Sequence, residues 1–332
     1  MLQRAMDADP QLVFPPLSVL RARVTYRLLQ DTTLPPYKGA LLRGGFGYAF
    51  QRASCAQSCW GHAERCNVAM LCPYRWVFET PHPEGVPHLH DLQDVPRPFV
   101  IEPPLDHKRQ YTAGDTLEFG LVLVGHGVDY LPYFLHGFEQ FGATGLGRDL
   151  AKARLERVEA LEPFKPSGSP IYQEGRVVSP EELPLLNLAE LPTRAATLPA
   201  DLRLELRTPL RVKSQGAFIE QFDLGAIVQA ACWRLGSLSA FHGPGLWRAD
   251  YRPLVAAARA VRVERAEIRW VDWERTSTRG GSQRQMKLGG IIGSAALREV
   301  PVEVRAALLA ASVLHVGKAC VFGHGWIGVA GL

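Results

Sequence analysis

The chain has 332 residues and a formal net charge of +4 at pH 7, with 47% hydrophobic and 21% charged residues. This composition is typical of globular proteins, and the length allows two domains with separate cores. No apolar run is long enough to span a bilayer, and the start of the chain has no secretory pattern, so we expect a cytoplasmic protein with no membrane contact. We therefore expect the six cysteines to be reduced or metal-bound rather than paired in disulfides. The mild positive charge permits a polyanionic partner without requiring one.

The first half of the chain predicts the element order strand, helix, strands, helix, strand. Apolar and polar residues alternate over residues 20–28, which predicts a strand, and helical spacing follows over residues 37–52. Residues 116–124 predict a second clear strand, and residues 129–141 predict a helix capped by Asp129. A last strand runs to about residue 161. This is the order of a ferredoxin-like βαββαβ unit.

A cluster of cysteines interrupts this first unit, at about residues 53–75. The four cysteines lie within eighteen residues of one another and are Cys55, Cys59, Cys66 and Cys72. Thiolates suit a tetrahedral Zn²⁺, and an iron–sulfur cluster uses the same ligand set. His62 is an alternative ligand. We expect a structural metal site that stabilises a small insertion, and four unbound thiols are the competing interpretation.

The second half repeats the order after a proline-rich segment. Residues 162–200 are predicted to be a linker region between domains 1–161 and 201–332. A strand then ends near Lys213, and a long helix is predicted over residues 222–241. A hairpin of two strands, a helix over residues 302–314 and a terminal strand complete the unit. The predicted fold class is α+β, with two tandem ferredoxin-like (RRM-like, βαββαβ) domains.

Two stretches of the second domain carry residues suited to a polyanion. The hairpin combines tryptophans with basic residues, which supply stacking surfaces and phosphate contacts; the candidates are Arg275, Arg279, Arg284 and Lys287, with Lys213 nearby. Residues 314–329 combine four glycines with one lysine and two histidines. Glycines let backbone N–H groups approach a phosphate, although they also serve close strand packing. The candidates in this glycine-rich loop are Gly317, Lys318, Gly323, His324 and Gly325.

Together these patches resemble one known family. They are the segment from Trp273 through Lys287 to Gly293, the loop from His315 to Gly325, and the cysteine cluster followed by Pro73 and Tyr74. The chain resembles the CRISPR precursor-RNA processing endoribonucleases of the RAMP superfamily, in their cysteine-containing branch. The resemblance implies a protein that binds CRISPR repeat RNA and cuts it once per repeat. The resemblance also allows subunits of a CRISPR effector complex as partners, and it implies no DNA contact by this chain alone.

The resemblance also implies a metal-independent reaction. A 2′-hydroxyl attacks the adjacent phosphate, and the products carry a 2′,3′-cyclic phosphate and a 5′-hydroxyl. This chemistry needs a general base, a general acid and a cation, but no cofactor. His315, Tyr37 and His62 are the candidate acid–base residues in that order, and Lys318 and Arg43 are the candidate charge stabilisers.

Two other functions fit parts of the sequence. One is a non-catalytic RAMP subunit that only binds guide RNA, which would keep the glycine-rich loop and lack a base. The other is a zinc or iron–sulfur protein in which RNA binding is incidental. The two-domain length together with the cysteine cluster favours the nuclease.

Overall fold

In the computed structural model the chain is described at residues 13–55, 62, 65–82, 95–178, 182–277 and 284–331, with the backbone alone at 274–277 and 284–287. The α-helices of this part are α1 Gly39–Ser54, α2 Pro73–Phe78, α3 Leu131–Thr144, α4 Leu191–Ala196, α5 Leu224–His242, α6 Arg252–Ala260 and α7 Val302–Leu314. The strands are β1 Ser18–Leu28, β2 Thr32–Thr33, β3 Phe99–Glu102, β4 Gln110–Tyr111, β5 Thr116–Val124, β6 Ala153–Leu161, β7 Gly168–Gln173, β8 Arg176–Val177, β9 Leu186–Asn187, β10 Leu202–Leu210, β11 Lys213–Ser214, β12 Ala217–Phe218, β13 Arg262–Val271, β14 Glu274–Ser277, β15 Arg284–Lys287, β16 Gly290–Arg298 and β17 Ile327–Gly331.

The first sheet has the strand order β3-β5-β1-β6 of a ferredoxin-like domain, with all pairs antiparallel. Its central strand β1 places Val24 opposite Phe119 on one side and Val158 on the other. Helices α1 and α3 cover one face, where Phe46 stacks on Phe134 at a centroid distance of 5.3 Å. Burial of these large aromatic rings supplies much of the driving force for folding this domain.

The second sheet repeats the arrangement with the order β13-β16-β10-β17. Helices α5 and α7 pack in its core, and both are rich in buried aliphatic residues. The side chain of Asp223 accepts a hydrogen bond from the backbone N–H of Ala226 and so caps α5. The predicted fold class of two tandem ferredoxin-like domains is confirmed, whereas the cysteine-rich insertion is not shown.

Three local features differ from the sequence predictions. Residues 162–200, predicted as a linker region, contain β7 and β8, which extend the first sheet beyond β6. The helix predicted to start at Asp129 is preceded by a 3₁₀ turn, and its N-cap is Tyr130 without a side-chain cap. Helix α6 was not predicted, because its nine residues hold only three buried apolar positions.

Among the helices of the described residues, none combines the length and the apolarity needed to cross a membrane.

The two domains meet where the start of α1 contacts the glycine-rich loop. A Cβ added at Gly39 would lie 2.0 Å from the carbonyl oxygen of Phe322. The hydroxyl of Tyr37 donates a hydrogen bond to that same oxygen at 2.9 Å. Because the obstacle is backbone of the other domain, a side chain at position 39 must displace the loop.

Gly39→Ala should therefore destabilise the protein by about 1–3 kcal/mol, the usual cost of overpacking. Gly44→Ala in the same helix is the matched control, since an added Cβ there meets nothing within 4 Å. The control should gain up to about 1 kcal/mol from helix propensity. Chemical denaturation of both variants checks this, and equal effects would contradict the tight contact between the domains.

Candidate nucleic-acid interface

The glycine-rich loop follows α7 and needs glycine at three positions with positive φ. Gly317, Gly323 and Gly325 have φ of 90°, 81° and 68°, which side chains with a Cβ rarely adopt. A Cβ on Gly323 would lie 2.1 Å from Pro103 of the first domain, and one on Gly325 would lie 1.9 Å from the carbonyl oxygen of Val316. The loop is therefore held against both domains in a single backbone path.

A buried carboxylate joins the two domains beside this loop. Glu102, the last residue of β3, is 3% exposed and accepts two hydrogen bonds from Arg21 of β1, at 3.0 and 2.9 Å. Nε2 of His315 lies 3.2 Å from the same carboxylate. Burial alone would raise the pKa of Glu102, but the charge of Arg21 and the hydrogen bond of His315 outweigh it and lower that pKa. Glu102 is thus a charged link between the domains.

His315, the first candidate for general base, is fully buried. Its Nδ1 lies 3.0 Å from the backbone oxygen of His324, and its Nε2 faces Glu102. Both partners only accept hydrogen bonds, so this arrangement suits a ring with hydrogen on both nitrogens. In this conformation the ring offers no nitrogen to a ligand, and the assignment of His315 as base stays a prediction.

Tyr37 and His324 form an aromatic cluster with Trp273. The centroid of Trp273 lies 4.8 Å from that of Tyr37 and 4.9 Å from that of His324, and the last two are 5.4 Å apart. Burial raises the pKa of the Tyr37 hydroxyl, so this group is a hydrogen-bond donor at neutral pH. Burial, with Arg211 and His315 nearby, lowers the pKa of His324 to about 3, so its ring is neutral.

Basic side chains gather on the outer side of the loop. The carbonyl of Arg211 accepts a hydrogen bond from the backbone N–H of Lys318 at 2.9 Å, which brings the end of β10 against the loop. Lys318 and Lys213 are exposed, and the ring of Phe218 lies 4.2 Å from the guanidinium of Arg211. Within the described part of the chain, neither Arg211 nor Lys213 has an ion-pair partner. Unneutralised cations next to a glycine-rich loop suit phosphate groups.

A second concave region, a cleft of about 550 Å³, lies between the two sheets. Four cations at its walls are each paired with a carboxylate: Arg21 with Glu102, Arg23 with Glu159, Lys165 with Glu162 and Arg207 with Glu205. A phosphate entering here must compete with these carboxylates. The cations at the glycine-rich loop are therefore the stronger candidates for phosphate contacts.

Two other predicted residues lie apart from the outer face of the loop. Arg43 is half-buried in α1, and its guanidinium lies over the rings of Phe78, Phe99 and Phe322 at 4.7–5.9 Å. It therefore contributes positive charge from behind the loop rather than from its surface. His62 is exposed within the predicted insertion, and no described contact connects it to the aromatic cluster.

The predicted basic hairpin is present as backbone. β14 and β15 pair antiparallel, with Arg275 opposite Met286 and Glu274 opposite Lys287. Arg284 begins β15, and the side chains of these basic residues lie outside the described part of the structure, as does Arg279 altogether. Their role in RNA binding stays a prediction.

The cysteine cluster is described only in part. Cys55, Cys66 and Cys72 are half-buried, and Cys59 lies outside the described residues. No group of three or more His, Cys, Asp or Glu that could hold a metal ion is found among the described residues. The zinc or iron–sulfur site therefore stays a prediction.

Sequence reasoning missed Glu102, Arg21 and Arg211. Arg21 and Arg23 alternate with apolar residues in β1, so the sequence showed that they share a face without showing what that face contacts. Glu102 is separated from His315 by 213 residues, and no local pattern pairs them. Arg211 lies within the strand that was predicted to end near Lys213, and it directly follows β10 in the structure.

Two family models match the chain. A model described as an N-terminal domain matches residues 16–183, just over half of the chain. A model described as CRISPR-associated endoribonuclease Cas6 matches residues 204–327, which include the glycine-rich loop. A protein of Archaeoglobus fulgidus described as uncharacterized is 25% identical over 201 residues, which are 60% of this chain and 62% of that protein. The chain therefore matches less than two thirds of that relative.

Solved structures share the fold at low identity. A Cas6 product complex has a TM-score of 0.54 and 17% identity, and the match covers 93% of this chain and 98% of that one. A partial Cas6-RT-Cas1–Cas2 complex has a TM-score of 0.58 and 12% identity, and the match covers 96% of this chain and 47% of that one. The two-domain arrangement described above is thus shared with Cas6 structures.

Glu102→Gln tests the buried link between the domains. Removing one partner of a buried ion pair typically costs about 3–5 kcal/mol, and we expect that loss at pH 7. Glu118→Gln is the control, because Glu118 is an exposed carboxylate on neighbouring β5.

The stabilisation that Glu102 provides should also depend on pH in a defined direction. Because the folded-state pKa of Glu102 is lowered, its stabilisation is complete above the unfolded pKa of about 4.3 and is lost as the pH falls through the folded pKa. The difference in unfolding free energy between wild type and Glu102→Gln should therefore shrink below about pH 4.3. A difference that is constant down to pH 2 would contradict a charged Glu102.

Proposed function

We propose that this chain, a member of the family whose N-terminal domain model matches residues 16–183, is a Cas6-type endoribonuclease of the RAMP fold that binds CRISPR repeat RNA and cuts the precursor transcript once per repeat. The observation that carries this proposal is the glycine-rich loop with Arg211, Lys213 and Lys318 at its outer side. Backbone N–H groups and cations at one surface suit the phosphates of an RNA strand.

The proposed reaction is a metal-independent transesterification. The 2′-hydroxyl loses its proton to a base, its oxygen attacks the adjacent phosphorus, and the bond from phosphorus to the 5′-oxygen breaks as that oxygen takes a proton. The ends are a 2′,3′-cyclic phosphate and a 5′-hydroxyl. Lys318 supports this proposal as an exposed cation for the charge that develops on phosphate.

Tyr37 suits proton donation better than proton removal. Its hydroxyl lies at the contact between α1 and the loop, and burial raises its pKa. In the free protein its one hydrogen is donated to the carbonyl of Phe322, so RNA binding must replace that partner with the leaving oxygen or a phosphate oxygen. We propose this role for Tyr37, with Arg43 behind it as a source of positive charge.

We propose that His315 acts as a positioning residue. Its hydrogen bonds to Glu102 and to the backbone of His324 fix the start and the end of the glycine-rich loop with respect to each other. A group that must reach a 2′-hydroxyl needs access, and His315 has none in this conformation. The same burial favours, as a second candidate function, a RAMP subunit that binds guide RNA without cutting it.

Cleavage of a labelled repeat RNA in EDTA tests the function. We expect one cut per repeat, a 2′,3′-cyclic phosphate end, and no cut when the nucleotide 5′ to the cut carries a 2′-deoxy group. Tight binding without any cut would support the non-catalytic RAMP subunit instead. A cut that requires added metal would contradict the proposed mechanism.

Lys213→Gln and Lys318→Gln should each weaken RNA binding and reduce the slope of log K against log salt by about 0.7–0.9 for each phosphate that the protein no longer neutralises. The control is Lys152→Gln, an exposed lysine of the first domain whose ammonium donates to the carbonyl of Thr144. Binding is measured by filter retention at several salt concentrations. Unchanged slopes in both variants would show that neither the glycine-rich loop nor the segment at Lys213 neutralises phosphates.

A further inference from the structure

His324 is a polar side chain that is fully buried in the free protein, and the described contacts do not explain why a polar group lies there. Its side chain is 0% exposed, and neither ring nitrogen has a hydrogen-bond partner among the described residues. Leaving buried polar atoms unpaired costs stability, so such groups are rare unless another state of the protein uses them. A Cβ added at the flanking Gly323 or Gly325 would lie 2.1 Å or 1.9 Å from neighbouring ring or backbone atoms, so the surroundings of the loop fix where this imidazole lies.

Trp273 forms one wall around that imidazole. The two ring centroids are 4.9 Å apart, and the indole also contacts Tyr37 in an edge-on geometry at 4.8 Å. A flat aromatic ring in edge-on contact with a tyrosine and in tilted contact with a histidine has the size of a nucleobase enclosed by aromatic side chains. Trp273 is half-buried, so it is reachable from solvent.

Trp273 lies at the junction between the second sheet and the hairpin formed by β14 and β15. It lies between β13, which belongs to the second sheet, and β14, which pairs only with β15 within the described residues. Its carbonyl accepts a hydrogen bond from the backbone N–H of Leu288 on the other arm of the junction. Trp273 therefore lies where the chain leaves the second sheet, and a displacement of its indole does not require β13 and β16 to separate.

We propose that Trp273 occupies the place of one RNA nucleobase in the free protein, and that a nucleotide displacing it sets its ribose 2′-hydroxyl against the ring nitrogens of His324. This inference rests on the proposed RNA-binding function. It makes His324 a residue that distinguishes ribose from deoxyribose at one position of the RNA.

The chemistry of the ring fits a hydroxyl group. Because the pKa of His324 is lowered to about 3 by burial and by Arg211 and His315, the ring is neutral and presents one N–H donor and one acceptor nitrogen. A 2′-hydroxyl is likewise both donor and acceptor, whereas a phosphate oxygen only accepts. Arg211 and Lys318 place positive charge at the same loop, which suits the adjoining phosphates.

A scan of 2′-deoxy substitutions along the repeat RNA, combined with His324→Phe, tests this contact. Affinity is measured by stopped-flow fluorescence on a time scale shorter than cleavage. Wild-type protein should bind about tenfold more weakly when one position is substituted, as the removal of one hydrogen bond predicts. His324→Phe should bind the unmodified RNA more weakly and show no further weakening at that position. If both proteins show the same deoxy profile, His324 does not contact a 2′-hydroxyl.

The stability of the free variant separates this role from a structural one. His324→Phe removes two unpartnered nitrogens and keeps the backbone carbonyl that His315 uses, so its melting temperature should not fall. His324→Leu provides a smaller apolar side chain should the larger ring not fit. His315→Phe is the contrasting variant and should unfold at a lower temperature, because it breaks the link to Glu102. If both apolar variants at position 324 lose stability and RNA binding together, His324 is only a structural residue.

Tryptophan fluorescence tests the displacement. RNA binding should change the emission of wild type and of Trp247→Phe, since Trp247 stacks on Phe14 and Tyr251 outside the loop. Trp273→Phe should lose most of that change. An unaltered signal in Trp273→Phe would overturn the displacement. If repeat RNA does not bind the wild-type protein, the proposed function is overturned as well. If it binds but no position loses its sensitivity to 2′-deoxy substitution in His324→Phe, only this inference is overturned.

Discussion

The carboxylate of Glu102 is the interaction on which the arrangement of the two domains depends. A buried charge is tolerated only when other groups compensate it, and here the compensation comes from both domains, through Arg21 and His315. In the first domain alone Glu102 would keep Arg21 and lose His315 as a partner. The charge therefore selects one relative position of the two sheets.

The same link determines the shape of the candidate interface. His315 ends α7 and bonds both Glu102 and the backbone of His324, so the two ends of the glycine-rich loop are held together at the junction. Gly39 of α1 then packs against Phe322, which brings Tyr37 to the loop. The residues proposed to contact RNA thus come from distant parts of the chain and depend on one buried contact between the domains.

The order of the elements could be predicted from the sequence because each helix or strand is indicated by a pattern of nearby residues. Strand alternation in β1 and helical spacing in α1 and α5 depend on neighbours a few residues away. The role of His315 could not be predicted in the same way, because the carboxylate that engages it is 213 residues distant. The segment 162–200 was predicted as a linker region because it is rich in proline, which is rare within strands. Its short strand β7 forms by pairing with the edge of β6, and that partner cannot be identified from the local sequence. The loop glycines and Lys318 were candidates from the sequence because glycines beside a lysine suit a phosphate, and their contacts with RNA stay predictions.

Ultraviolet cross-linking of repeat RNA to the intact protein, with the cross-linked peptides identified by mass spectrometry, tests the central claim most directly. The claim is that RNA binds where the glycine-rich loop meets the end of β10 and the start of α1. We expect cross-links within residues 315–326, within residues 207–213 and at Trp273 or Tyr37. Cross-links confined to residues 55–72 or to β7 and β8, with none at the loop, would contradict it.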